Sequence, residues 1–363
     1  MYEYSGNNFN SYNKPKNNGT IESLELQWAK KYLQKLDVDF YNDEPIDTHN
    51  LNELMSQSGR EKTVQKLRGS LRNVSLQAWN KTEKLLFKEV KRHRINPELI
   101  DPWEIAGDSF KIYEKTLDVY THPAPLSHLS EELRSPEAPS IDAQQLAPNQ
   151  FAKAVSGSLR GLRQKYTQQD PKVIGLVSMQ FHYTSQILLQ LLSHSEQNLI
   201  SAYFKVIDDH LYMPLQRVYT AAAKLDCHSV VLMAVQHLLP NSTYIAKNIT
   251  QKVIELYSAY LSYSGYLNNA KVTISSIRDV EMFQVYLWVC ADKGNIAAIQ
   301  QELFPFCVML YPTLKVSWEI IRQMLHLLGS KISERLNTEQ ANTLMPCFQV
   351  RKAYVFSGSI WRK

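Results

Sequence analysis

The chain has 363 residues, of which 44% are hydrophobic and 21% charged, and its formal net charge is +5. That composition fills one or two packed domains and excludes wholesale disorder. Four cysteines without a CxxC pair argue against a disulfide-stapled scaffold, and only 12 glycines and 15 prolines favour long helices over a turn-rich β-architecture.

No basic region followed by an apolar run opens the sequence, and the most apolar segment, Leu303 to Tyr311, is interrupted by Pro305. The expectation is a soluble, cytoplasmic protein without membrane insertion, whose four cysteines, Cys227, Cys290, Cys307 and Cys347, are reduced thiols.

In chain order, residues 1–20 are rich in Asn, Gly, Ser and Tyr and read as a flexible tail. Leu24, Trp28, Leu33 and Leu36 then recur at helical spacing within 21–36, before an acidic loop over 37–50. A long helical region over 51–94 is expected to break near Gly69, with Leu67, Leu71, Val74, Ala78, Leu85 and Val90 on its apolar face. Pro97 and Pro102 end it, and Pro102 opens the next helix, to Tyr120. Residues 21–121 thus form a basic helical N-terminal domain. Five prolines between His122 and Pro148 mark a linker and a domain boundary.

Beyond the linker, helices are expected at 151–166, 173–192, 199–219, 229–239, 242–260, 276–290, 295–310 and 314–336. They make one all-α domain over 149–336. Residues 337–363 read as a loose tail or a docking segment.

Positive charge concentrates in Arg60 to Arg94, where only Glu61, Glu83 and Glu89 oppose it. Lys84, Lys88, Lys91 and Arg92 are the candidate partner-binding residues. Such a run is most plainly a solvated helix face. Functionally it fits an acidic protein surface, with nucleic acid the alternative. Charges spread around the helix, without Asn or Gln on one face, would orient a partner but not read a base sequence.

The motif with most information is Ser275-Ser276-Ile277-Arg278-Asp279-Val280-Glu281-Met282-Phe283. It continues through Tyr286-Leu287-Trp288-Val289-Cys290-Ala291-Asp292-Lys293-Gly294-Asn295, and Tyr311-Pro312-Thr313-Leu314-Lys315-Val316 follows. With Leu239-Pro240-Asn241-Ser242-Thr243-Tyr244-Ile245-Ala246 upstream, this resembles the bilin-attachment region of the phycobiliproteins, allophycocyanin above all, over about 198–335. The resemblance implies a globin-like helical domain, a place in phycobilisome or photosystem assemblies of a cyanobacteria-like cell, and pairing of chains through 198–219. It also implies partners at the cytoplasmic face of a thylakoid membrane.

One departure bears on pigment. The family's attachment cysteine is Ser276 here, and a hydroxyl is a poor nucleophile for a thioether-type link. In the family, the residues matching Arg278 and Asp279 hold a propionate and the pyrrole N–H groups. A non-covalent bilin or other tetrapyrrole near Arg278, Asp279, Ser276 and Tyr286 therefore stays open. So does a protein contact there. Read plainly, Arg278 and Asp279 open a helix, where an aspartate is welcome and an arginine solvated.

His182, His194, His210, His228 and His237 show no metal-ligand spacing, and His210 or His237 would be the candidates for a haem. Tyr257, Tyr260, Tyr263, Tyr266, Phe283, Tyr286 and Trp288 could line a flat pigment, but more simply pack a core. Asp208 and Asp209, adjacent on a helix, point apart. No phosphate loop, nucleophile elbow or triad spacing appears. The expectation is a non-enzymatic structural or regulatory protein. Its alternatives are a tetrapyrrole carrier or sensor, and a nucleic-acid-associated regulator.

Overall fold

The computed structural model describes residues 23–32, 53–122, 147–226 and 228–356. The protein is all-α: fourteen α-helices and one two-stranded hairpin are formed among the described residues.

Helix α1 (Leu24–Lys30) is short and capped by Ser23, whose side chain accepts the Leu26 N–H at 3.3 Å. Seven residues do not hold a helix in water alone; burial of Leu24, Trp28 and Ala29 holds this one. It lies against α5 (Ala147–Thr167) and α8 (Leu215–Ala222). The Trp28 ring meets Trp288 edge-on at 6.2 Å. Helices α2 (Gln57–Arg68) and α3 (Leu71–Arg92) are separated at Gly69-Ser70, where the sequence places the break. In α3, Leu71, Val74, Ser75, Ala78, Trp79, Thr82 and Leu86 are buried, a single face at three- and four-residue spacing.

Helix α3 lies against α4 (Pro102–Thr121) and α6 (Val173–Gln190). Pro102 sits in the first turn of α4, and Asp101 caps it by accepting the Trp103 and Glu104 N–H groups. Residues 123–146 lie outside the described set. The helices on either side of them share one hydrophobic core, however, with Val74, Leu86, Tyr113, Phe181 and Phe204 in the same cluster. The apolar face of α3 is completed by α6, beyond the linker.

Helix α7 (His194–Tyr212) opens with a capping box. Glu196 accepts the Ser193 N–H at 2.9 Å, and the Ser193 hydroxyl faces the Glu196 N–H at 3.4 Å. Pro214 divides the helix expected over 199–219: it holds Met213 extended and α8 begins after it. Helices α9 (Val230–Leu238) and α10 (Ser242–Leu256) are joined by one turn of 3-10 helix at Leu239–Asn241.

A hairpin of β1 (Leu261–Ser262) and β2 (Gly265–Tyr266) follows, between the helices expected over 242–260 and 276–290. Helix α11 (Ala270–Lys293) runs through the centre, and every residue from Val280 to Ala291 is buried. It starts at Ala270, capped by Asn269, rather than at Ser276. Arg278 and Asp279 are thus in its third turn and not at its opening, which removes the helix-start explanation of their charges.

A π turn at Ile299–Leu303 leads into α12 (Phe304–Thr313). Pro305 has no N–H for the carbonyl four residues back, and widening the turn accommodates its ring. Helix α13 (Trp318–Ser333) is capped by Ser317. The segment from residue 337 is more ordered than a loose tail. Helix α14 (Thr338–Phe356) lies against α9, α11 and α13, burying Leu344 and Phe348. Phe348 sits over Gly329, where any side chain would collide with its ring.

Three buried charges and one half-buried one, Lys205, meet inside this bundle. Lys31, just past α1, donates to Glu281 at 2.9 Å and to Ser242 at 2.7 Å. Lys205 reaches Asp209 at 3.0 Å and Glu281 at 3.3 Å. Burial would raise Glu281, but Lys205 and Lys31 outweigh it and hold the carboxyl at about 2. Two ammonium groups against two carboxylates leave the cluster neutral.

Candidate functional sites

The phycobiliprotein-like segment is placed by α11. Arg278 lies over the Tyr212 ring, its guanidinium carbon 3.7 Å from the ring centroid. Its Nη1 is 3.8 Å from Asp208 Oδ2, which in turn is 3.9 Å from His182 Nδ1. His182 is held from its other side by Gln186 at 2.8 Å. Asp279 faces Tyr311. Burial pushes its carboxyl up to about 6, against the pull of Arg278 and Tyr311. Ser276 is half-buried one turn earlier.

Arg278 and Asp279 are therefore together, as the sequence implies, but already engaged with this chain's own side chains. Tyr212 covers one face of the guanidinium, while a propionate would need its N–H edge, where Nη1 faces Asp208 at 3.8 Å. Tyr286 belongs elsewhere: its hydroxyl accepts from Arg163 at 2.8 Å, and Arg163 faces Glu302 at 3.6 Å. Glu302, in the π turn, also pairs with Arg217.

Asp208 and Asp209 do point apart, one toward Arg278 and the other toward Lys205. The sequence names Asp208 and His182 without joining them to Arg278, and does not single out Tyr212 at all. His210 is enclosed, with Nδ1 at 2.9 Å from the Val206 carbonyl, and burial lowers it to about 4. Among the described residues no group of His, Cys, Asp and Glu is placed to hold a metal ion. Cys290 and Cys307 are buried and Cys347 is half-buried, and none of the three forms a disulfide among the described residues. Cys227 lies outside the described residues. Phe283, Tyr286 and Trp288 are core, whereas Tyr263 and Tyr266 are exposed.

The basic run divides in two. In its α2 part the cations are partnered within the chain, Lys62 with Glu53 at 3.4 Å among them. Arg60 is buried and donates to the Met55 and Tyr120 carbonyls, Lys66 pairs with Glu196 at 2.7 Å, and Arg68 pairs with Asp118. Its α3 part faces solvent. Among the described residues Lys84 and Lys88 pair with no carboxylate. Lys91 lies over the Phe87 ring at 4.4 Å, and Arg92 is 3.8 Å from Glu89.

Two expectations about this run need correction. The charges are not spread around the helix: Lys84, Lys88 and Lys91 are exposed at helical spacing on one stripe, about 100° per residue apart in sequence. Asn73, Gln77 and Asn80 continue that stripe, so polar amide side chains do lie on the same face. The opposite face is the one buried on α6, and that burial selects which residues remain outside.

Helix α7, the segment expected to pair chains, is enclosed. Within 198–219 only Asn198 and Arg217 are well exposed, because Tyr203, Phe204, Val206, Ile207 and Leu211 fill the core. Among the described residues no helix is long and apolar enough to cross a membrane. No protein family, curated protein or solved structure matches the chain.

Proposed function

We propose that the chain is a non-enzymatic interaction protein that captures an acidic protein partner on the exposed face of α3. The supporting observation is the stripe of Lys84, Lys88 and Lys91, flanked by Arg92, which is solvent-facing and, at Lys84 and Lys88, without carboxylate partners among the described residues. A helix of 22 residues presents this face over about 33 Å. Lysines left unpaired in this way cost the fold little and attract a negative surface at long range. The phycobiliprotein resemblance suggests the class of partner: a component of the light-harvesting antenna or of a photosystem, met at the cytoplasmic face of a thylakoid membrane. A tetrapyrrole carrier is the weaker alternative, since Arg278 and Asp279 already have partners within the chain.

A nucleic-acid reading draws on one specific observation, the presence of Asn73, Gln77 and Asn80 beside the lysines. One experiment separates the two. The wild-type chain and a variant with Lys84, Lys88, Lys91 and Arg92 changed to Glu are used as bait in extract of the native cell, at low and at raised salt. Loss of an acidic protein with the variant, and weakening of the wild-type capture as salt rises, is the expected result. Capture unaffected by the variant sinks the proposal. Retention of nucleic acid by the wild type alone, surviving removal of protein, replaces it with the second reading.

A further inference from the structure

The exposed face of α3 carries apolar side chains among its lysines. Phe87 is 52% exposed and Leu76 37% exposed, and neither joins the core that the opposite face of the same helix builds. Eleven residues make about three helical turns, so the two side chains stand on one line, about 16 Å apart. Asn80 lies on that line between them. One turn beyond Phe87, the Lys91 ammonium sits over its ring at 4.4 Å.

Charges are arranged unequally about this line. Lys91, Lys84 and Lys88 follow one another to one side of it, within about 100°, and the exposed Lys81 comes next. On the other side, the one exposed charge between Leu76 and Phe87 is Glu83, about 40° away. A polyanion lying across the whole face would meet Glu83 as well as the lysines. A partner with carboxylates along one edge meets the lysines and leaves Glu83 clear. Leu76 and Phe87 then fall beneath the middle of the contact, where apolar surface is of most use.

The shape of the line selects the partner further. A straight, convex row at helical spacing is matched by a second helix, whose own side chains leave grooves between rows three and four residues apart. Such a helix needs an apolar stripe beside an acidic one.

We propose that the occupant of α3 is an acidic amphipathic helix of the partner protein. Its apolar row seats on Leu76 and Phe87, and its carboxylates lie along the lysine flank. The proposal rests on the reading of α3 as a capture face for an acidic protein, and names what that protein presents. Phe87 is the specificity-determining anchor, an aromatic side chain ringed by contacts that exclude water. The lysines set the rate and direction of approach. Salt weakens the charged part of the contact and leaves the apolar part.

Binding of the purified full chain to two synthetic helical peptides, followed by fluorescence anisotropy, tests it. Both peptides carry glutamates along one flank; one has leucines in the adjoining row and the other has serines there. The wild type should bind the leucine peptide at least about 10-fold more tightly than the serine peptide. Leu76→Ser with Phe87→Ser, both at exposed positions, should abolish that preference, while the remaining binding still falls as salt rises. Changing Lys84, Lys88, Lys91 and Arg92 to Glu should remove binding of both peptides. Equal binding of the two peptides by the wild type, or a preference that survives the serine variant, overturns the proposal. If the charge reversal still removes binding in that case, α3 remains a capture face for acid and only the apolar row falls. If the charge-reversed chain keeps both peptides, the reading of α3 as an acid-binding face falls as well. No binding of either peptide, or tighter binding of a single-stranded oligonucleotide than of the leucine peptide, also overturns the proposal.

Discussion

Two charged stretches of similar density meet opposite fates. In α11, Arg278, Asp279 and Glu281 are drawn into the bundle and each finds a partner there. In α3, Lys84 and Lys88 stay in water without a carboxylate partner among the described residues. The difference lies in what surrounds the charges. Helix α3 keeps its apolar residues on one arc, so the charged arc faces out. Helix α11 is buried on all sides from Val280 onward, so a charge in or next to that stretch has no outer face to occupy. A charge in or close to a helix segment buried all round is therefore a structural partner first, and a ligand group only if its neighbours leave it room.

The largest test of this contrast is the cluster around the buried Glu281. Changing Lys31 to Met leaves two buried carboxylates, Glu281 and Asp209, facing Lys205 alone. A loss of about 3–5 kcal/mol in urea unfolding is expected. Adding Glu281→Gln to Lys31→Met restores the charge balance and should recover a substantial part of that loss. If Lys31→Met alone costs less than about 1 kcal/mol, the lysine is not balancing a buried charge.

A smaller effect belongs to Arg278. Its guanidinium lies over Tyr212 and faces Asp208, whose Oδ1 and whose partner's Nε are both buried without a hydrogen-bond partner. Arg278→Ala should cost about 1–3 kcal/mol, because Asp208 loses its main counter-charge. A double-mutant cycle with Tyr212→Leu should show a coupling of about 1 kcal/mol, the size of a shielded cation–π contact. Zero coupling would mean that Tyr212 is a bystander and that the guanidinium is free for another group.

Much of the architecture is legible in the sequence, for local reasons. The break at Gly69-Ser70, the cap and proline at the start of α4, and the centrality of α11 all follow from residues within a few positions of each other. The early start of α11 was hidden because Ala270 to Ser275 lack strong apolar periodicity, and only the Asn269 cap signals it. The division of 199–219 was signalled by Pro214. The hairpin has strands of two residues, too short for any alternation to register.

The site was less legible, because its partners are distant in sequence. Lys31 and Glu281 are 250 residues apart, and nothing local marks them as a pair. Lys205 and Asp209, four apart on α7, are the exception. That the basic run divides at Gly69 into a half paired within the chain and a half left facing water depends on Glu53, Asp118 and Glu196, which local sequence does not mark. Placing Asn73, Gln77 and Asn80 on the lysine stripe needed only a count in threes and fours.

The smallest effect is expected at the outward half, and its smallness is the point. Changing Lys84, Lys88, Lys91 and Arg92 to Glu reverses four charges in one segment. Yet Lys84 and Lys88 give up no ion pair within the described residues, and Lys91 gives up only an exposed contact with Phe87. Arg92 gives up a long, solvent-exposed pairing with Glu89, of a kind that contributes little. The new glutamates also stand in water near the C-terminal end of α3, where the helix dipole mildly disfavours them. The sum should stay within about 0.5–1 kcal/mol in urea unfolding, with the helical circular dichroism unchanged. That is several-fold below the effect of the single Lys31→Met change inside the bundle. Were the four reversals to cost as much as that one buried lysine, α3 would be holding the fold through its charges, and its face would no longer be free for a partner.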